Sequence, residues 1–278
     1  MAAAIILGNG RELLERLVTG DSPLPQTANA GLIWDRYLPM WTGSPDAPQR
    51  IEPPARVLER LVLAFNGRGN GPRNLARDLL RFHHERLKRA AEGWSAYRSR
   101  QLRILNYKVN WRLATGLGTD HPTENGFSFD SLIGVPYLPG SSVKGLCRRA
   151  AIVHGLNAMT IAELFGPERT EADEYGAQGK LIFLDAYPKR WPKLAVDIVN
   201  CHHPDYYRNP KPGSFPHETE DPVPVFFLTV DRDSEFTFYL IAPTVELDTA
   251  EQLLTQGLNW LGIGAKTAVG YGIMAKSS

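Results

Sequence analysis

The sequence has little cysteine: 2 in 278 residues, Cys147 and Cys201. That excludes a disulfide-stapled scaffold and suits a reducing compartment. It has no run approaching the roughly 18 to 20 apolar residues that span a bilayer. The opening Met1–Leu7 is apolar, but no basic residues precede it and it stops at Gly8-Asn9-Gly10, too short for a secretory core. The expectation is a cytoplasmic protein with no membrane partner. Internal repeats and low-complexity tracts are also missing, which excludes solenoids and propellers.

Charge of one sign is missing too, at first sight. Lys and Arg total 31 against 30 Asp and Glu, a net +1, and 43% of the residues are hydrophobic. The length suits one large domain or two small ones with a substantial core. The charge is, however, unevenly spread. Between Arg68 and Arg112 stand 12 basic residues and only three acids (Asp78, Glu85, Glu92), a net +9 that leaves −8 for the remainder. A basic block of this kind points to a polyanion or an acidic partner.

Residues 1–100 are expected to form a helical elaboration and 101–278 the core. Arg11–Val18 and Ala55–Phe65 have helical spacing, and Gly43–Pro54, with four prolines, is expected as a loop. The helix predicted over Asn74–Ala91 should bury Leu75, Leu79, Phe82 and Leu87. Its Arg73, Arg77, Arg81, His84 and Lys88 step by 4, 4, 3 and 4, one basic stripe facing solvent, RNA or a partner protein. From residue 101 the pattern changes to strands. Leu102–Ala114 alternates with period two, Gly179–Tyr187 and Val196–Val199 are extended, and Val225–Val230 with Glu235–Ala242 form a predicted hairpin. Helices are expected over Val143–Gly155 and Asp248–Trp260, and Pro204–Pro224, with six prolines, is a long loop. Strand, helix, strand, hairpin, helix, strand is the order of a ferredoxin-like α+β unit with long insertions.

Two segments carry candidate chemistry. In Gly134–Ala150, Ser141 or Ser142 is expected to cap a helix whose free amides form an anion site, with Lys144 and Arg148 on one exposed face. In Leu261–Gly272, Gly262, Gly264, Gly270 and Gly272 surround Lys266, Thr267 and Tyr271. This segment is neither a Walker loop, since Ala265 precedes Lys266, nor a dinucleotide fingerprint, since Thr267 stands where a small residue is needed. It remains a loop whose backbone can approach a ligand closely. A metal site at Cys201-His202-His203 or His83-His84 lacks the spacing of a zinc site, so no metal or cofactor is expected. No Ser/His/Asp order or Cys/His dyad is readable.

Pro136-Tyr137-Leu138-Pro139-Gly140-Ser141-Ser142-Val143-Lys144-Gly145 resembles the hallmark of the RAMP superfamily of CRISPR proteins, and Gly262–Gly272 resembles its C-terminal glycine-rich loop. Asn29–Tyr37, Gly179–Pro188, Asp197-Ile198 with His202 and Tyr206-Tyr207, Pro222–Val230 and Gly264–Thr267 are similar to one member type, the sixth subunit of the type III-B Cmr effector complex. Cys201 departs from that pattern, where a proline is expected beside the histidine. The resemblance implies a ferredoxin-like (RRM-type) core in an antiviral ribonucleoprotein that carries a guide (CRISPR) RNA and recognises a target RNA. It also implies a non-catalytic subunit among other RAMP subunits, capping the backbone filament near the 3′ portion of the guide. Ser141, Ser142, Lys144, Arg148, Gly262, Gly264, Lys266, Thr267, Gly270 and Tyr271 would then meet RNA. Two alternatives stand beside this one. The chain is a metal-independent endoribonuclease acting through His121, His202 or Tyr271, or it is a protein scaffold whose basic stripe docks an acidic neighbour.

Overall fold

The computed structural model describes residues 28–38, 40–44, 47–50, 54–67, 72–97, 100–167, 178–203, 206, 215–216 and 221–277. The predicted helix at Arg11–Val18 and most of Pro204–Pro224 lie outside them. The described chain opens with α1 (Ala30–Arg36), the ribbon β1 (Trp41–Ser44) and β2 (Ala47–Arg50), α2 (Pro54–Asn66) and the long α3 (Pro72–Tyr97). The ribbon replaces part of the loop expected at Gly43–Pro54. Pro48 is tolerated there because a two-stranded ribbon has free edges, and Pro54 starts α2, where its missing N–H is no loss.

Next come β3 (Gln101–Val109), β4 (Arg112–Leu113), α4 (Gly140–Val153) and α5 (Ala158–Phe165). They are followed by β5 (Ile182–Phe183), β6 (Tyr187–Pro188), β7 (Leu194–Cys201), β8 (Val223–Asp231), β9 (Glu235–Ala242), α6 (Thr244–Gln256) and β10 (Met274–Lys276). The main sheet has the order β10-β3-β9-β5, with β6 also on β9, every pairing antiparallel. A second sheet has the order β4-β8-β7. The alternating run Leu102–Ala114 is thus two strands in different sheets, broken at Asn110-Trp111. The predicted Val225–Ala242 hairpin is absent: β8 pairs with β7 and β9 with β3. The turn between them satisfies itself on β3 instead, the Asp233 N–H donating to the Val109 carbonyl and the Val109 N–H to that of Ser234, both at 2.9 Å.

One face of the main sheet is covered by α4 and α6. Leu105, Tyr107 and Val109 of β3 and Phe236, Phe238 and Leu240 of β9 point there and meet Val143, Cys147, Ala150, Leu253 and Leu254. The Tyr107 hydroxyl lies 2.7 Å from that of Thr255, and burial pushes its pKa up to about 12. Helix α6 begins four residues before the expected acidic cap. Asp248 is instead a helix-face residue that, with Glu251, accepts hydrogen bonds from Arg103 at 2.7 and 2.6 Å. The same core extends to Trp34 of α1 and Leu58, Leu61 and Phe65 of α2. Among the described residues no helix is long and apolar enough to cross a membrane.

The opposite face is covered by α3, rotated by about one residue (~100°) from the expected phase. Ala76, Leu80, His83 and Ala91 are buried, Leu79 and Leu87 are half-buried and pack beside them as expected, and Phe82 is 57% exposed. His84 leaves the solvent stripe altogether. Its Nε2 lies 3.0 Å from the Pro188 carbonyl, which can only accept, so Nε2 carries the proton and Nδ1 accepts from the Tyr239 hydroxyl at 2.9 Å. Two polar groups on adjacent strands therefore turn a residue that periodicity assigns to solvent into the pin between α3 and the sheet.

Burial lowers the His84 pKa, outweighing the opposing effect of the Pro188 carbonyl. The unfolded chain takes up a proton near pH 6.5 that the folded one refuses. The stability His84 contributes is therefore complete above about pH 6.5 and lost as pH falls toward the lowered value. His84→Gln should cost about 1 to 2 kcal/mol at pH 8 and make the decline of the urea midpoint between pH 7 and 5 shallower than in the wild type. An equally steep decline would show that His84 is not neutral in the fold.

Candidate nucleic-acid interface

The glycine-rich segment follows a π-helical turn, Gly257–Leu261, at the end of α6. It closes on itself and on the β3–β4 connection. The Ile263 N–H donates to the Gly272 carbonyl, Ala265 to Ala114, Gly272 to Arg112 and Asn110 to Ile273, at 2.7 to 3.0 Å. A Cβ at Gly264 would overlap the Ala114 carbonyl and one at Gly272 the Ile263 carbonyl, and both residues have positive φ, 93° and 72°. This corrects the expected role of the glycines. The Gly262 amide is given to the Gly257 carbonyl and that of Gly270 to Thr267, so these groups build the loop rather than wait for phosphates. Gly262 is buried, whereas Gly264 and Gly270 are exposed. The loop holds out Lys266, a non-glycine residue in the left-handed region (φ 58°, ψ 30°), and Thr267 begins a short 3-10 turn. The Lys266 ammonium lies 5.5 Å from the centroid of the Phe227 ring.

Beneath the loop, Asp197 of β7 and Phe227 of β8 are direct cross-strand partners, and Tyr271 meets both. Its hydroxyl donates to Asp197 Oδ2 at 2.5 Å and its ring centroid is 5.9 Å from that of Phe227. Arg112 of β4 contacts the same carboxylate oxygen at 2.6 Å, donates to the Val196 carbonyl at 3.2 Å and lies 3.9 Å from Asp231. Burial by itself raises the Asp197 pKa. Hydrogen bonds from Tyr271, the Ile198 amide and Arg112, with the Arg112 charge, outweigh it and bring the carboxyl below its usual value. Burial and the neighbouring carboxylate push Tyr271 up to about 12. Its hydroxyl is neutral and committed to Asp197.

The candidates of the endoribonuclease alternative, His121, His202 and Tyr271, have different surroundings. His121 stacks on Trp34 at 4.0 Å, its Nε2 donating to the Trp34 carbonyl at 3.1 Å and its Nδ1 accepting the Thr123 N–H at 3.3 Å, and burial lowers its pKa. His202 follows β7, five residues beyond Asp197, which is about 16 Å along a strand. Among the described residues no three His, Cys, Asp or Glu come together as a metal cluster.

The Gly134–Ala150 segment also differs from expectation. Neither serine caps α4, whose N-cap is Pro139 with no side-chain bond. The Gly140 N–H donates to Asp185 Oδ1 at 2.6 Å, so a carboxylate of the chain itself occupies the helix N-terminus that a phosphate was expected to use. Ser141 and Ser142 are exposed. Leu146 packs on Gly257 of the π-helical turn. At 100° per residue, Lys144 and Arg148 each lie about 160° around α4 from Leu146, on the edge away from that contact. Ser142 and Arg149, within about 60° of Leu146, are on the near edge, and Arg149 is exposed. Sequence reasoning passed over Arg149, although its i+3 relation to Leu146 was a usable signal.

The remaining stripe residues Arg73, Arg77, Arg81 and Lys88 are exposed along α3. Arg77 is 3.3 Å from Asp78, Lys88 is 3.8 Å from Glu92 and Arg81 stacks over Phe82. Arg77, Arg81 and Lys88 line a cleft of about 760 Å³ whose floor is Ile104, Asn106, Thr237 and Tyr239 of the main sheet. The stripe thus borders the sheet rather than bulk solvent alone.

Arg112→Ala should destabilise the protein by about 3 kcal/mol, because it leaves Asp197 half-buried without its cation. Arg112→Lys should restore only part of that, since one ammonium cannot span Asp197, the Val196 carbonyl and Asp231. Urea unfolding of the three proteins checks this, and a full rescue by lysine would show that charge alone matters.

The chain is 30% identical to the CRISPR system Cmr subunit Cmr6 of Pyrococcus furiosus, over 60% of this chain and 65% of that protein. It is 27% identical to the corresponding Saccharolobus solfataricus subunit, over 55% of this chain and 49% of that protein. It therefore spans less than two thirds of the length of either curated relative. Its fold is similar to a chain in the type III-B Cmr-beta complex bound to cognate target RNA, with a TM-score of 0.56 and 22% identity, over 72% of this chain and 65% of the other. The RAMP superfamily profile matches residues 39–275, so the chain belongs to the RAMP superfamily.

Proposed function

We propose that this protein is a non-catalytic, guide-RNA-binding subunit of a type III-B CRISPR ribonucleoprotein, capping its backbone filament near the 3′ portion of the guide. The observation that carries the reading is Lys266, held in a left-handed backbone conformation at the surface of a loop whose other amides are largely spent on the chain itself. A non-glycine residue in that region costs about 1 to 2 kcal/mol, and such strain concentrates at functional positions. Similarity to Cmr6 supports the complex, and the structural relative bound to target RNA supports RNA and other Cmr subunits as partners. The order β10-β3-β9-β5, with α4 and α6 on one face, supports a ferredoxin-like core.

In this reading Lys266, with the exposed Arg149 and Ser142 edge of α4, positions a phosphate backbone without reading bases. Lys266→Gly removes the cation and the backbone strain together. Its stability should stay within about 1 kcal/mol of wild type, while the slope of log K against log salt for a single-stranded RNA falls by about 0.7. Lys144→Ala should lower the slope similarly if the far edge of α4 also meets RNA. Unchanged slopes in both would sink the phosphate assignment. Incubation with guide RNA in EDTA should leave the RNA intact, and cleavage abolished by a His121, His202 or Tyr271 substitution would overturn the non-catalytic role.

A further inference from the structure

A second cleft, of about 690 Å³, lies where the N-terminal half of α3 approaches the turn between β8 and β9. Its charges follow a pattern. Every carboxylate in it is held by a cation: Asp231 by Lys193 at 2.8 Å and by Arg112, Asp233 by Lys108 at 3.4 Å, and Glu235 by Lys189 at 3.3 Å. Three arginines of the same cleft, Arg73, Arg190 and Arg232, are exposed, and their side chains have no ion-pair or hydrogen-bond partner among the described residues. Lysines are consumed by the carboxylates and arginines are left over. They come from three separate segments, so no helix periodicity explains their convergence.

The guanidinium fork pairs two parallel N–H groups with a phosphate or a carboxylate. The rest of the cleft decides between them. Pro192 and Ser234 are buried, and the half-buried Trp191 ring is turned edge-on against Phe65 at 6.2 Å. Among its described lining residues the cleft therefore offers no exposed apolar anchor of the kind a protein interface is built around, and no ring face on which a base could stack. What it offers is spaced positive charge. It is also continuous with the glycine-rich loop, because Asp231 faces the cleft and at the same time neighbours Arg112, which holds Asp197 and through it Tyr271.

We propose that Arg73, Arg190 and Arg232 form a second, sequence-independent contact for the sugar–phosphate backbone of a single-stranded RNA. This inference rests on the RNA-binding reading above and extends the track from Lys266, past the β8–β9 turn, onto α3.

The test uses the full chain and a fluorescein-labelled 12-mer of oligouridylate, read by anisotropy across a salt series, with Arg73→Gln/Arg190→Gln/Arg232→Gln as the variant. All three side chains are exposed, so the melting temperature should stay at the wild-type value. The salt slope should fall by about 2, near 0.7 for each lost phosphate contact, and affinity at fixed moderate salt by on the order of tenfold or more. Oligoadenylate should lose as much as oligouridylate. If the triple variant keeps the wild-type slope while Lys266→Ala lowers it, the second contact is overturned and the RNA reading stands. If the wild type itself fails to bind either RNA at low salt, both are overturned. If labelled poly-glutamate of the same length binds the wild type more tightly than RNA does, and the triple variant loses it, the cleft holds an acidic protein segment and the proposal is wrong.

Discussion

The guanidinium of Arg112 joins three parts of the chain that the sequence keeps far apart. Its own strand, β4, belongs to the second sheet. Its acid partner Asp197 is on β7, and the hydroxyl sharing that carboxylate belongs to Tyr271 at the end of the glycine-rich loop. Side chains on this pair are only 23% and 17% exposed, a setting in which desolvation offsets much of the Coulomb attraction. The contribution is therefore geometric more than energetic. Together with the backbone bonds from Ala265 to Ala114 and from Gly272 to Arg112, the pair fixes the loop against the second sheet, with the Phe227 ring under Lys266. Removing the ion pair would therefore disturb the placement of Lys266, the cation held at positive φ among the described residues.

The secondary structure was legible wherever a local signal was strong. β3 and β9, α2 and the register of apolar residues facing α4 and α6 all follow from period and length. What failed were decisions taken between neighbours in sequence. The short Asp231–Ser234 connection has every local property of a hairpin, yet it passes the chain from one sheet to the other, because Val109 takes the turn's hydrogen bonds from a strand more than a hundred residues earlier. The break at Asn110-Trp111 has the same origin. Residues on either side of it pair with the glycine-rich loop, a partner that local alternation cannot announce.

The candidate site was half legible. The two motifs and Lys266 stand out in the sequence because glycine and proline punctuation is visible there. Their chemistry is not, because an amide looks available until its partner is known. Gly140 donates to Asp185 and Gly272 to Arg112, both across long sequence distances. The phase of α3 shows the same limit. A histidine counts as polar in any pattern, and only the coincidence of Tyr239 and Pro188 on the sheet makes His84 an inward residue. Of the arginines left without partners in the second cleft, Arg73 belongs to the basic stripe legible in the sequence, whereas Arg190 and Arg232 carry no local signal, since being unpaired is a property of the assembled fold.

The central pairing also bears on how the chain reaches this structure. Gln101 lies opposite Ala242, so the middle strand β3 meets its main partner across a sequence separation of 141 residues. Contacts of such separation place the fold among those with high contact order, where closing the loop precedes any gain from it. During synthesis at about 5 to 20 residues per second, β3 would wait roughly 7 to 28 s for β9 to emerge. For that interval the helix directly before it, α3, is already made and packs on it. Leu87 and Ala91 of that helix cluster with Leu102 of β3, so one face of the strand has its apolar cover before the partner that completes its ladder is made.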